Sequence, residues 1–384
     1  MGAAMRFLLR WVGRPLLFLA IALCLAPTVV PPFLDRIYYE GPESGHFDGA
    51  RFFNPDADAG SAHRASPARF FNRWASASER RRWPKRVPVS PTVPPARVAG
   101  EAMRVTWIGH ATVLVQTRGL NILTDPVWSD VVSPFPPIGP NRVRAPGVRF
   151  EDLPKIDLVL ISHNHYDHLD LPTLKRLWGR DRPRIVTGLG NDAILRKAGI
   201  RSEAFDWGRG TSLPCAWTPP PGLQYRAPFQ PCTVTIERNH HWSSRWGTDR
   251  NRALWSAFTV RLPGGNIFFA GDTGWGDGSW AAEAARHGPF RLAILPIGAY
   301  EPREVMKGNH MNPEEAMAVF DLLKPAMALG IHWGTFQLTF EGIGDPPRRL
   351  ARLKRERRLP ERSFVATEVG QPFLAPPLGS LRLR

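Results

Sequence analysis

The chain has 384 residues, 43% of them hydrophobic, enough apolar material for one large domain or two small ones and too much for a disordered protein. Its formal charge of +16 comes chiefly from 43 arginines against seven lysines. Guanidinium forks suit phosphate or another anionic partner, but arginine-for-lysine bias also follows from genomic base composition, so nucleic acid is not the expected partner.

Arg6, Arg10 and Arg14 precede an uncharged run at residues 15–30, PLLFLAIALCLAPTVV. The run is slightly short for an ideal span, is extended by residues 31–34, and lacks a convincing cleavage site. An uncleaved membrane anchor is therefore expected over residues 1–40, in preference to a removed signal peptide. Basic residues before the run and Asp35, Glu40 and Glu43 after it place the N-terminus in the cytoplasm and the body outside.

Residues 41–102 turn to Pro, Ala, Ser and Arg, with aromatic islands at Phe52, Phe53, Phe70, Phe71, Trp74 and Trp83. This composition predicts a linker that becomes an arm packing on the body. Its cluster Arg80, Arg81, Arg82, Lys85 and Arg86 reads as a solvated basic stretch, or as a patch for anionic headgroups.

The body is expected over residues 103–375, followed by a tail at 376–384. Apolar runs at 104–108, 111–117 and 120–124 predict an antiparallel meander. Strands at 156–161 and 184–189 then alternate with helices from Leu171 and over 191–198, which predicts a mixed α/β architecture. Residues 213–231 hold six prolines and predict an ordered irregular loop. Cys215 and Cys232 flank it and are able to pair, although separate thiols are the expectation; no cysteine sits in a metal-binding spacing. A strand at 233–237 and a hairpin over 257–270 with a PGG turn follow. Strands are also predicted at 292–297 and 327–331. Asn312, Pro313 and Glu315 mark a helix start, and a last helix from Asp345 carries a basic face that is ordinarily solvated.

One stretch concentrates the chemistry. Residues 161–170, ISHNHYDHLD, place His163, His165, Asp167 and His168 within six positions straight after a buried strand. His163 and His165 share a face of extended backbone, while Asp167 and His168 can turn to a second point. Imidazole and carboxylate together suit borderline divalent metals such as zinc. His241, Asp272 and His332 likewise follow apolar strands, so all these groups are expected at one edge of a sandwich. Taken singly, Asp272 is equally a turn cap and His332 a core histidine; their order along the chain is what makes them specific.

That order resembles the ligand motifs of the metallo-β-lactamase superfamily. WIGHAT, LTDP, SHNHYDHLD, NHHW, FFAGDTG, PIGAYEPR, HMNPEEA and IHWGTF resemble, more narrowly, the N-acylphosphatidylethanolamine-hydrolysing phospholipase D family. The likeness spans about residues 103–373, with a weaker echo in HFDGARFFNP from His46, and the anchor looks like the bacterial branch. It implies a four-layer αβ/βα sandwich and a dinuclear zinc centre, with iron or manganese as alternatives. His163, His165 and His241 would hold one ion, Asp167, His168 and His332 the second, and Asp272 would bridge them. His240 competes with His241, but the family pattern puts the ligand directly before tryptophan, here Trp242.

The implied reaction is hydrolysis of an N-acylphosphatidylethanolamine-like glycerophospholipid to an N-acylethanolamine and phosphatidic acid, by a hydroxide bridging the two ions. Asp125 orients a ligand or the water, or is a turn aspartate before Pro126; His310 binds phosphate or assists proton transfer, or merely flanks a helix. His110 reads as structural. Tyr300 and Arg303 are candidate substrate contacts. The 213–231 insertion departs from the family and leaves acyl-chain preference open. Localisation would be the bacterial inner membrane with a periplasmic catalytic domain, and a homodimer is compatible with the sequence. The competing functions are a lactonase or soluble phosphodiesterase on the same centre, and a non-catalytic lipid-binding scaffold.

Overall fold

The computed structural model describes residues 2, 7, 9–22, 35–56, 81–214 and 232–378. Among these residues two seven-stranded mixed sheets form. In the first, β1 (Met103–Gly109), β2 (Thr112–Thr117) and β3 (Leu120–Thr124) make the expected antiparallel meander. From β3 the sheet continues in parallel through β4 (Leu158–Ile161), β5 (Arg184–Gly188) and β6 (Glu203–Phe205). The second sheet runs antiparallel through β7 (Gly210–Leu213), β8 (Cys232–Glu237), β9 (Ala257–Arg261) and β10 (Asn266–Phe269). It then runs parallel through β11 (Phe290–Pro296), β12 (Ala328–Ile331) and β13 (Phe364–Val365). A last strand, β14 (Pro372–Leu374), returns to the first sheet beside β1.

The period-two alternation of the strands decides how the layers stack. Val105, Trp107, Val113, Val115, Ile122, Leu158 and Leu160 face the second sheet and share one core with Val234, Ile236, Phe258, Val260 and Ile267. Their neighbours Leu114, Leu123, Val159 and Ile161 point the other way. There they meet Leu174, Leu177 and Trp178 of α1 (Leu171–Asp181) and Ile194 and Leu195 of α2 (Asn191–Lys197). Trp280 and Ala281 of α3 (Ser279–Ala285), and Ala316, Met317 and Val319 of α5 (Pro313–Leu323), extend the larger core. Burial on both faces explains why the parallel strands read as unbroken apolar runs.

The short helix α4 (Arg303–Met306) leads into α5, whose start carries the expected capping box. Asn312 Oδ1 accepts from the Glu315 amide at 2.9 Å, and the Glu315 carboxylate accepts from the Asn312 amide at 3.0 Å. Asn312→Ala is expected to lower unfolding stability by about 1 kcal/mol, read from denaturant melts. The basic face of α6 (Asp345–Glu356) is less bare than its sequence suggests. Arg349 pairs with Glu314 and Arg348 with Asp345, and Arg357, just past its end, pairs with Asp321.

Some expectations fall outside the described residues: most of the proline-rich stretch with Cys215, and Phe70, Phe71, Trp74 and Arg80. The apolar N-terminal run is described only as far as residue 22, as a helical stretch on which Trp11, Leu16, Leu17, Phe18 and Leu19 are exposed. Among the described residues no helix is long and apolar enough to cross a membrane. Cys232 is disulfide-bonded rather than a free thiol, which corrects the expectation of separate thiols; its partner lies outside the described residues.

Candidate metal centre

Register brings the strand ends to one edge. Thr124 ends β3 opposite Leu160 of β4, and Phe269 ends β10 opposite Ile294 of β11. Ile331, the last residue of β12, pairs with Pro296 at the end of β11. Each strand therefore releases its next polar side chain toward the same place. The turns that do this are unusual, with His110, Asp125 and His332 at φ of 55°, 30° and 65°. Left-handed backbone at a non-glycine residue costs about 1–3 kcal/mol and persists only where the surroundings hold it. At Gly271 (φ 60°) no side chain fits, because a Cβ would lie 2.6 Å from Ser162 Cβ. That close approach puts Asp272 against the 161–170 loop.

Four groups of nitrogen and oxygen atoms result: His163, His165 and His241; His110, Asp167, His168 and His332; His163, His168 and Asp272; and His241, Asp272 and His310. His163 Nε2 and His165 Nδ1 face each other at 2.7 Å. Asp272 Oδ2 lies 3.0 Å from Nε2 of both His168 and His332, and 3.9 Å from His241 Nε2. Asp272 is thus the carboxylate between the first group and the second. Asp167 Oδ2 stands 3.5 Å from His168 Nε2 and 3.7 Å from His332 Nε2.

Burial dominates the electrostatics. Desolvation holds His163 and His241 well below the ordinary imidazole range, and lowers His165 to about 3. Burial acts the same way on His168 and His332, but there carboxylates win. Asp272, Asp167 and Asp125 raise His168, and Asp272 and Asp167 raise His332 to about 9. Burial would raise Asp272 too; His168 and His332 hold it well below the ordinary carboxylate range.

The groups behind the cluster fix its rotamers. Asp125 is buried beneath it, accepting from the Ser162 amide at 2.7 Å, Ser162 Oγ at 2.6 Å and His168 Nδ1 at 2.7 Å. It is therefore more than a turn residue. Ser162 Oγ also contacts His163 Nδ1 at 2.9 Å, and the Asn309 carbonyl holds His241 Nδ1 at 2.9 Å. His110 Nε2 is 2.8 Å from Asp167 Oδ2, so this histidine, read as structural from sequence, braces a member of the cluster. Arg245 donates to the carbonyls of Asn164 and Leu169, both at 2.9 Å, and lies over the Tyr166 ring.

His240 and His241 point in different directions. His241 Nε2 faces the cluster, whereas His240 Nδ1 turns away to Asp56 at 2.7 Å. His310 Nδ1 is 3.9 Å from Asp272 Oδ2, buried and without a hydrogen-bond partner, and desolvation lowers it to about 4. Arg303, a candidate substrate contact, has protein partners. It donates to the His310 carbonyl and the Glu315 carboxylate, which ties the His310 loop to the start of α5. Tyr300 is only 2% exposed and lies beside Arg349.

Residues 120–333 match the sequence profile of the beta-lactamase superfamily domain. The chain is 37% identical over 270 residues to N-acyl-phosphatidylethanolamine-hydrolyzing phospholipase D 1 of Caenorhabditis elegans, covering 69% of this chain and 74% of that one. The chain belongs to the N-acylphosphatidylethanolamine-hydrolysing phospholipase D family. In that family it is also 33% identical over 250 residues to the mitochondrial enzyme of Saccharomyces cerevisiae, covering 65% of this chain and 51% of that one. Among solved structures, the metallo hydrolase Igni18 of Ignicoccus hospitalis shares the fold, at TM-score 0.51, 19% identity and coverage of 71% and 98%. As a member of this family, the protein is a metal-dependent hydrolase with the metallo-β-lactamase fold.

The residues present fit a divalent metal. Nε2 of His241 and Oδ1 of Asp272 are buried without a hydrogen-bond partner, and Nε2 of His168 and His332 face only the Asp272 and Asp167 carboxylates. Leaving such atoms unpaired costs about 1–3 kcal/mol each, so their convergence in one place calls for a ligand. The N/O donor set suits zinc, iron or manganese alike. Because metal-free His332 carries its proton up to a pKa of about 9, binding through its Nε2 must expel that proton at neutral pH. Zinc uptake at pH 7 is therefore expected to release protons, and affinity is expected to fall as pH is lowered. Calorimetric titration in buffers of different ionisation enthalpy checks this; identical apparent heats in all of them would show that neither His332 nor His168 gives up a proton on binding.

Proposed function

We propose that the protein is a zinc-dependent phosphodiesterase that hydrolyses N-acylphosphatidylethanolamine-like glycerophospholipids to N-acylethanolamine and phosphatidic acid. The observation that carries this reading is Asp272, a buried carboxylate set between a three-histidine group and a second Asp/His group, in a chain whose relatives are named for this reaction. In the proposed assignment His163, His165 and His241 would hold one ion and Asp167, His168 and His332 the other, with Asp272 available to both. Two bound divalent ions supply Lewis acidity and make water a nucleophile near neutral pH.

The chain's own groups divide the remaining work. Asp125 and Ser162 fix the tautomers of His168 and His163, presenting lone pairs inward. His310 presents a neutral imidazole, free to hydrogen-bond the substrate phosphoryl group, and Arg303 holds the loop that carries it. The P–O bond to the ethanolamine oxygen breaks, the water oxygen stays on phosphorus, and the leaving oxygen takes a proton.

The exposed apolar residues near the N-terminus support attachment to a membrane where such lipids reside. We place the catalytic body on the periplasmic side of an inner membrane, which an accessibility tag at the C-terminus decides. The functional test is release of N-acylethanolamine from a defined N-acylphosphatidylethanolamine in mixed micelles, run beside a soluble phosphodiester and a lactone. Turnover of the lipid is the expected result. Hydrolysis of either soluble substrate with the lipid untouched would replace the proposal by another hydrolase on the same centre.

A further inference from the structure

The loop that carries His241 has no helix or strand between the end of β8 at Glu237 and the start of β9 at Ala257. A separate segment, residues 35–56, fastens it. Asp35 pairs with Arg252 at 2.7 Å, and Tyr38 donates to Asp249 Oδ2 at 2.8 Å. Asp249 in turn gathers Ser244 Oγ and the amides of Arg245 and Trp246. The Phe52 amide donates to the Asn251 carbonyl at 2.8 Å, and Phe47 and Phe52 bury themselves against Leu254 and Trp255.

Two contacts reach the histidine pair itself. Asn54 Nδ2 donates to the His241 carbonyl at 2.9 Å while its Oδ1 accepts from Trp255 Nε1 at 3.1 Å. The Asp56 carboxylate accepts from His240 Nδ1 at 2.7 Å and pairs with Arg238. The fit is close: a Cβ at Gly276 would fall 2.6 Å from His240 Nδ1 and 2.8 Å from Asp56 Oδ2. His241 is thus gripped at two points, its carbonyl by Asn54 and its ring Nδ1 by the Asn309 carbonyl. Together these set both the place of its backbone and the roll of its imidazole.

We propose that residues 35–56 are a positioning element of the metal centre, in which Asn54 and Asp56 set the His240–His241 turn so that His241 Nε2 converges with His163 and His165. The inference rests on the reading of His241 as a metal ligand. The effect falls first on one ion, although the turn is also tied to the loop after Asp272, where the His240 amide donates to Thr273 Oγ1 at 2.9 Å and the Gly274 amide to the His240 carbonyl at 2.7 Å. His163 and His165 sit on the loop after β4, and His168 and His332 take their positions from Asp125 and the end of β12, none of which the segment touches through Asn54 or Asp56. Metal sites tolerate ligand displacements of only about 0.5 Å. Losing the partner of a ligand typically weakens metal binding about 10–100-fold.

The test is cobalt(II) titration of the full chain, followed by visible absorption, for wild type, Asn54→Ala, Asn54→Asp and His241→Ala, with melting of each metal-free protein alongside. Asn54→Asp keeps the acceptor for Trp255 but puts a carboxylate against the His241 carbonyl, and so separates positioning from packing. The expected result is that both Asn54 variants bind one of the two ions at least about tenfold more weakly. The other ion is weakened less, the absorption of the first site shifts, and the metal-free melting temperature stays close to wild type. Titrations that overlay wild type, or equal weakening of both ions together with a lower metal-free melting temperature, would overturn the proposal. His241→Ala keeps the underlying reading separate: if it retains both ions, the ligand assignment fails. If it loses one while Asn54→Asp keeps both, only the positioning role fails.

Discussion

Asp272→Asn is expected to abolish measurable turnover of N-acylphosphatidylethanolamine, lowering kcat by at least about 10³-fold, the upper end of what one preorganised electrostatic group supplies. The size follows from placement. Asp272 Oδ2 is 3.0 Å from two imidazole nitrogens assigned to one ion and 3.9 Å from His241, assigned to the other. Its Oδ1 is buried with no protein partner. The carboxamide is nearly isosteric, so packing around Gly271 and Ser162 survives while one negative charge leaves the middle of the site. An amide nitrogen facing His168 and His332 also repels whatever cation they hold. Activity should therefore fall together with the metal content found by elemental analysis, while the circular dichroism spectrum stays that of the wild type. Equal product from both proteins would remove Asp272 from the bridging position.

Much of this cluster is legible in the sequence because its donor residues crowd together or follow apolar strands. HNHYDH announces a site within six residues, and Asp272 and His332 declare themselves by following strands that register places at one edge. The same local logic reveals the β9–β10 hairpin and the start of α5, where turn and cap residues are adjacent in the chain. What it leaves out is set by distance in space. His110 is 57 positions from Asp167, and Asn54 is 187 positions from His241, so no spacing rule connects them. For Arg303 the motif is legible but the partners are not. Its motif suggests a substrate contact, yet tertiary packing directs its donors to the His310 carbonyl and Glu315. The three-residue β6 and two-residue β13 are held in place by pairing with β5 and β12 and have little propensity of their own to betray them.

The sharpest demand on the second row of residues falls on Asp125, and Asp125→Asn is expected to weaken metal binding about 10–100-fold while leaving the fold intact. The carboxylate serves three donors: the Ser162 amide on Oδ1, and Ser162 Oγ with His168 Nδ1 on Oδ2. An asparagine has one acceptor to offer and must aim its NH₂ at one side. If the NH₂ replaces Oδ2, it meets the Nδ1–H of His168; the imidazole then moves its hydrogen to Nε2, the atom that faces Asp272 and the proposed ion. If it replaces Oδ1, it confronts the Ser162 amide, a backbone donor that has no second tautomer. Either orientation costs, and the first disables a ligand without touching it, as the wrong histidine tautomer does in serine proteases. Raising the metal concentration should therefore restore part of the Asp125→Asn activity but none of the Asp272→Asn activity. Activity that no metal concentration recovers, with stoichiometric metal bound throughout, would instead place Asp125 in the reaction itself rather than behind His168.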